Sequence, residues 1–143
     1  DDVLEITGLA STFGGNPVSC RAAITVIDEL EHGVLANCEH VGACLQGELQ
    51  ALTARHHCIG DVRGKGLMIA IEIVRNRATQ EQAKDLRDSI VQRAFERGLL
   101  LLGCGPSAIR IIPPLILTER EARIGIAILD RVLSEVAERS SAA

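Results

Sequence analysis

The sequence predicts an α+β domain: a small three-stranded, largely antiparallel sheet covered on one face by helices. Three observations carry this. Residues 67–74 alternate with period two, placing Leu67, Ile69, Ile71 and Ile73 on one face. Residues 99–102 and 108–112 are short apolar runs joined by Gly103-Cys104-Gly105-Pro106-Ser107, turn chemistry that favours an antiparallel pair. The flanking segments repeat apolar residues every three or four positions, the helical period. A chain of 143 residues is long enough to bury one such core.

Taken in order, residues 1–11 read as an incoming connector. Asn16-Pro17 then pairs a favoured N-cap with the residue favoured at the first helical position, so a helix starts there. Val18, Ala22, Val26 and Leu30 give its stripe, and His32-Gly33 ends it. A second helix carries Leu35, Cys38, Val41, Leu45, Leu49 and Leu52; Gly42 and Gly47 within it suggest close packing against the first helix. Glycine-bearing residues 59–66 lead into the strand at 67–74, whose other face holds Met68, Ala70, Glu72 and Val74. The Thr79/Gln82 spacing is that of a capping box, predicting a helix with the stripe Ala83, Leu86, Ile90 and Ala94, closed by Arg97-Gly98. Pro113-Pro114 stops the last strand. A second capping-box spacing, Thr118/Glu121, opens a final helix to about Glu138, ahead of a frayed tail.

Composition narrows the function classes. A net charge of -4 and an almost wholly aliphatic core, with two Phe and no Tyr or Trp, argue against a nucleic-acid partner. Neither a membrane span nor a signal peptide is evident. Five cysteines without a C-x-x-C pair predict free, mostly buried thiols in a reducing, cytoplasmic setting. No metal site is expected, since the adjacent His56-His57-Cys58 point in different directions and lack a second ligand pair. The chain starts at Asp1 rather than Met, which suggests that an upstream part was removed or that the chain was processed.

Thr12-Phe13-Gly14-Gly15-Asn16-Pro17 resembles the "TFGGNP" segment of class III pyridoxal-phosphate-dependent aminotransferases. Val62-Arg63-Gly64-Lys65-Gly66-Leu67-Met68 resembles the family's "VRGKGLM" strand entry. Gly98-Leu99-Leu100-Leu101-Leu102 and Ile109-Arg110-Ile111-Ile112-Pro113-Pro114-Leu115 resemble its "GLLL…IRxxPPL" close. Three motifs in the family's order cover nearly the whole chain, with wording most similar to the 4-aminobutyrate and ornithine aminotransferases and less similar to glutamate-1-semialdehyde aminomutases.

The resemblance implies the C-terminal domain of a fold-type I enzyme. Residues 1–33 would close the large cofactor domain and residues 34–143 would form the small one. It implies pyridoxal phosphate as cofactor, an amine or amino acid and a 2-oxo acid as substrates, and a homodimer or higher oligomer. By resemblance, Thr12, with Phe13 beside it, hydrogen-bonds the cofactor phosphate of the partner subunit; a hydroxyl on a glycine-bearing loop ahead of a helix suits an anion. Arg110, a charge inside an apolar strand, receives a carboxylate or pairs with a glutamate that swings aside for it. Arg63 is expected to serve its turn, Glu72 to be solvated or paired, and Asn16 to act as a cap. The family's Schiff-base lysine has no match, because Lys65 and Lys84 are the only lysines and neither stands in its motif. No catalytic residue is therefore assigned, and the chain alone is expected to be inactive and to self-associate. The alternatives are an amino-acid racemase of the same family and a stand-alone, non-catalytic dimerisation or ligand-binding module.

Overall fold

The computed structural model describes residues 12–141, with side chains through Glu138. The expected connector at 1–11 and the last two residues of the tail lie outside them. Contacts divide the chain into two units, Asp1–Val34 and Leu35–Ala143.

The first unit holds helix α1, Pro17–Glu29. Asn16 caps it as its chemistry predicts: the side-chain oxygen accepts from Val18 N at 2.9 Å and Ser19 N at 3.3 Å, and Pro17 occupies the first helical position. The turn at His32-Gly33 breaks the helical path, with Gly33 at φ 135°. No residue of α1 is buried, so its stripe of Val18, Val26 and neighbouring Ile27 stands exposed.

The second unit contains α2 (Leu35–Arg55), β1 (Ile59–Lys65), β2 (Met68–Asn76), β3 (Glu81–Gln82), α3 (Lys84–Glu96), β4 (Leu102–Cys104), β5 (Ala108–Ile111) and α4 (Glu119–Ser141). The sheet has five strands rather than the expected three, in the order β1-β2-β5-β4, all antiparallel, with β3 paired to the end of β2. The glycine-bearing residues read as an entry segment form β1, which folds back on β2 with Lys65 opposite Met68 and Arg63 opposite Ala70. The period-two reading of β2 holds through Ile73: Ile69, Ile71 and Ile73 are buried and Met68 is 63% exposed. Val74, expected on the face of Met68, is buried as well, next to an irregularity in the β2–β3 register. The isoleucine face meets Leu45, Leu49 and Leu52 of α2, Ile90 and Ala94 of α3, and Leu129, Val132 and Leu133 of α4 in one core.

Four local expectations change. The Thr79/Gln82 spacing does not start a helix. Asn76 Oδ1 accepts from Ala78 N at 2.8 Å and Thr79 N at 3.3 Å, closing a turn; Glu81–Gln82 then pair with β2, and α3 begins at Lys84 without a side-chain cap. The hairpin near Gly103 is displaced, with β4 running through Leu102–Cys104 where a turn was expected. Gly42 packs against the β1–β2 turn: a Cβ there would fall 2.4 Å from the Gly66 carbonyl carbon. The Thr118/Glu121 capping box forms as read, Glu121 N donating to Thr118 Oγ1 at 3.3 Å and Thr118 N to Glu121 Oε2 at 2.9 Å. The cysteines are free, but Cys20 is exposed and the other four are half-buried rather than buried.

Arg77 replaces a conventional C-cap on α2. Its guanidinium donates to the carbonyls of Thr53 (2.7 Å), His56 (3.0 Å) and Ile59 (2.9 Å), placing a cation where helix carbonyls lack partners.

Candidate functional site

Within the unit Leu35–Ala143, α2, α3 and α4 pack on one sheet face, and on the other Arg63, Met68, Leu102 and Arg110 are exposed. Antiparallel register sets the chemistry of that second face, since residues directly opposite one another share a face. One rung reads Arg63, Ala70, Arg110, Leu102 across β1, β2, β5 and β4. The two arginines on it stand about 10 Å apart, two strand spacings.

They differ in partners. Arg63 donates to Asp61 Oδ2 at 2.9 Å and to Glu72 Oε2 at 2.8 Å, and Glu72 Oε1 accepts from the Ser107 hydroxyl at 2.6 Å. Partial burial pushes the Glu72 carboxyl up, but the Ser107 hydroxyl and the Arg63 guanidinium outweigh it and hold the group below the usual carboxylate range. Glu72 is thus the paired sheet residue that the sequence suggested, whereas Arg63, expected to serve a turn, is its partner on strand β1. Arg110 is exposed and has neither an ion pair nor a side-chain hydrogen bond among the described residues. It lines a groove of about 450 Å³ with Leu100, Leu102, Ile112 and Pro113. Leu100, Leu102 and Ile112 are 77%, 60% and 55% exposed, so this cation stands among apolar side chains that its own unit leaves uncovered. A guanidinium there can grip a planar anion with two parallel hydrogen bonds.

Thr12 and Phe13 open the four-residue turn before α1, and both are exposed. Asn16 already takes the first N–H groups of the helix, so the donors left for an anion are the Thr12 hydroxyl and the amides of the loop itself. Thr12 and Phe13 belong to the unit Asp1–Val34, and Arg110 to Leu35–Ala143.

Sequence reading missed the apolar neighbours of Arg110. Their signal was present: Leu102 and Ile112 flank the arginine strand, and period two puts Ile112 on the face of Arg110. Two exposed lysines complete the inventory, Lys65 ending β1 and Lys84 starting α3.

Residues 1–133 match the family model described as aminotransferase class-III. The leucine/methionine racemase of Thermococcus litoralis is 38% identical over 96% of this chain and 31% of its own length. An acetylornithine aminotransferase of Caldanaerobacter subterraneus is 39% identical over 89% of the chain and 30% of its own length. The 4-aminobutyrate aminotransferase of Escherichia coli is 36% identical over 94% and 32%. An amine transaminase from an uncultivated Pseudomonas species, solved with pyridoxal phosphate bound, superposes with a TM-score of 0.82 at 34% identity, over 89% of this chain and 29% of that one. The chain spans about a third of the length of the curated relatives it matches.

Proposed function

The chain belongs to the class-III aminotransferase family, and from that premise we propose that it is the carboxylate-receiving part of an enzyme moving an amino group from an amine or amino acid to a 2-oxo acid. The observation that carries the reading is Arg110: an exposed guanidinium on a sheet strand, without an ion-pair partner among the described residues and set among apolar side chains. In this role Arg110 holds the substrate carboxylate through its two-pronged fork, with Leu100 and Leu102 offering apolar surface beside it. The names of the relatives, which include 4-aminobutyrate, 5-aminovalerate and acetylornithine aminotransferases, support an ω-amino acid donor.

Pyridoxal phosphate, when bound, supplies the electron sink that amino transfer requires. The residues present fit its phosphate only. Thr12 would donate its hydroxyl there and Phe13 would flank it, with loop amides rather than the already capped helix end completing the donor set. In this reading residues 1–33 close the large domain and residues 34–143 form the small one. Thr12 then serves the cofactor of a partner subunit in a homodimer, an arrangement supported by the exposed apolar stripe of α1. The free cysteines support a reducing, cytoplasmic setting. Neither Lys65 nor Lys84 stands in a cofactor-binding motif, so residues 1–143 alone carry out no transfer.

The test is a graft. Residues 1–143 replace the matching third of the Escherichia coli 4-aminobutyrate aminotransferase, and transfer to 2-oxoglutarate is assayed. The reading expects transfer by the graft and none by the chain alone. A folded, cofactor-loaded graft without activity would contradict it. A racemase is the second reading, favoured by the 38% identity to the Thermococcus litoralis enzyme. It predicts loss of optical activity from an amino acid in the absence of any 2-oxo acid.

A further inference from the structure

Arg87 shares the buried stripe of α3 with Ala83, Ile90 and Ala94 and is itself only 6% exposed. A guanidinium in that place must find partners, because burying an unsatisfied charge is costly. Its Nε lies 2.6 Å from Asp88 Oδ1, a carboxylate standing mostly in solvent. Its Nη1 donates inward, to the carbonyls of Ala108 at 3.2 Å and Cys104 at 3.4 Å. Those two residues face each other across the last rung of the β4–β5 hairpin.

The guanidinium also packs closely on Gly103. A Cβ at that position would come within 2.6 Å of Nη1 and 2.8 Å of Cζ, so any larger residue would push Arg87 away. The adjoining turn is held from β2 as well, Ser107 giving its hydroxyl to Glu72 and accepting from Ile73 N at 3.0 Å through its carbonyl. Strand β4 is only three residues long, and its ladder is to β5 alone. Closure of this hairpin is therefore what keeps Leu102 opposite Arg110.

We propose that Arg87 is a positioning residue: it locks the last rung of the β4–β5 hairpin and thereby fixes the wall of the groove in which Arg110 stands. The consequence for substrate rests on the carboxylate role of Arg110; the clamp itself does not.

Amide hydrogen exchange on the purified chain tests the clamp in two variants. Arg87→Met removes the fork. Gly103→Ala keeps Arg87 and displaces its head, so it reads the contact rather than the loss of a buried charge. In both, the amides of residues 102–110 exchange about tenfold or more faster, while those of 45–52 and 129–133 keep their wild-type rates. Uniform acceleration in all three regions, or none at 102–110, overturns the proposal. Should the local effect appear while Arg110→Ala leaves carboxylate handling in the grafted enzyme unchanged, the clamp stands and the substrate reading falls.

Discussion

His56 and Asp130 join the C-terminal end of α2 to the middle of α4: Nε2 of the buried imidazole lies 2.6 Å from Asp130 Oδ1, and Arg55 Nη1 reaches Oδ2 at 2.6 Å. The hydrogen bond to His56 is the main reason the Asp130 carboxyl is held below its usual range. A folded pKa below the unfolded value of about 3.9 gives stability that is complete above that pH and is lost as pH falls through the depressed value. Urea unfolding at a series of pH values should show Asp130→Asn weaker than wild type by about 1–2 kcal/mol at neutral pH. Its acid limb should be shallower below about pH 4. Parallel limbs would mean that the pair contributes nothing to acid sensitivity.

The two glycines of α2 should respond oppositely to alanine. At Gly42 the added Cβ would meet Gly66 backbone at 2.4 Å, and backbone cannot yield cheaply, so Gly42→Ala loses about 2–3 kcal/mol. At Gly47 nothing lies within 4 Å, so Gly47→Ala gains about 0.5–1 kcal/mol from helix propensity alone. Thermal or denaturant unfolding of the two variants decides; the same sign for both would refute the packing described.

Much of this was legible in the sequence because the deciding interactions are local. Asn16 caps with its own side chain, Thr118 and Glu121 are three residues apart, and the isoleucines of β2 alternate. What was not legible depended on partners far along the chain. The Thr79/Gln82 spacing looked like a cap until Asn76 and the edge of β2 took that segment. Residues 59–66 read only as an entry to the next strand because it is their partner strand that defines them as β1. Arg87 was missed as one polar residue on a polar helix. Its spacing to Ala83, Ile90 and Ala94 placed it on the buried stripe all the same, and a charge on such a stripe is a usable signal.

Pyridoxal phosphate added to the chain, followed by borohydride and peptide mass mapping, should mark Lys65 and Lys84 only weakly and without preference, since both are exposed. Stoichiometric labelling of one of them would overturn the assignment of the cofactor lysine to another part of the enzyme.

The central claim is that Arg110 receives the substrate carboxylate, and the most direct measurement is the KM of the grafted enzyme for its 2-oxo acid. Arg110→Ala should raise that KM by about 100-fold, the loss of a two-pronged charge-assisted contact worth about 2–3 kcal/mol. Arg110→Lys should recover little of it, because an ammonium cannot form the fork, and Lys84→Ala should change nothing. An unchanged KM in a folded, cofactor-loaded Arg110→Ala graft would contradict the account.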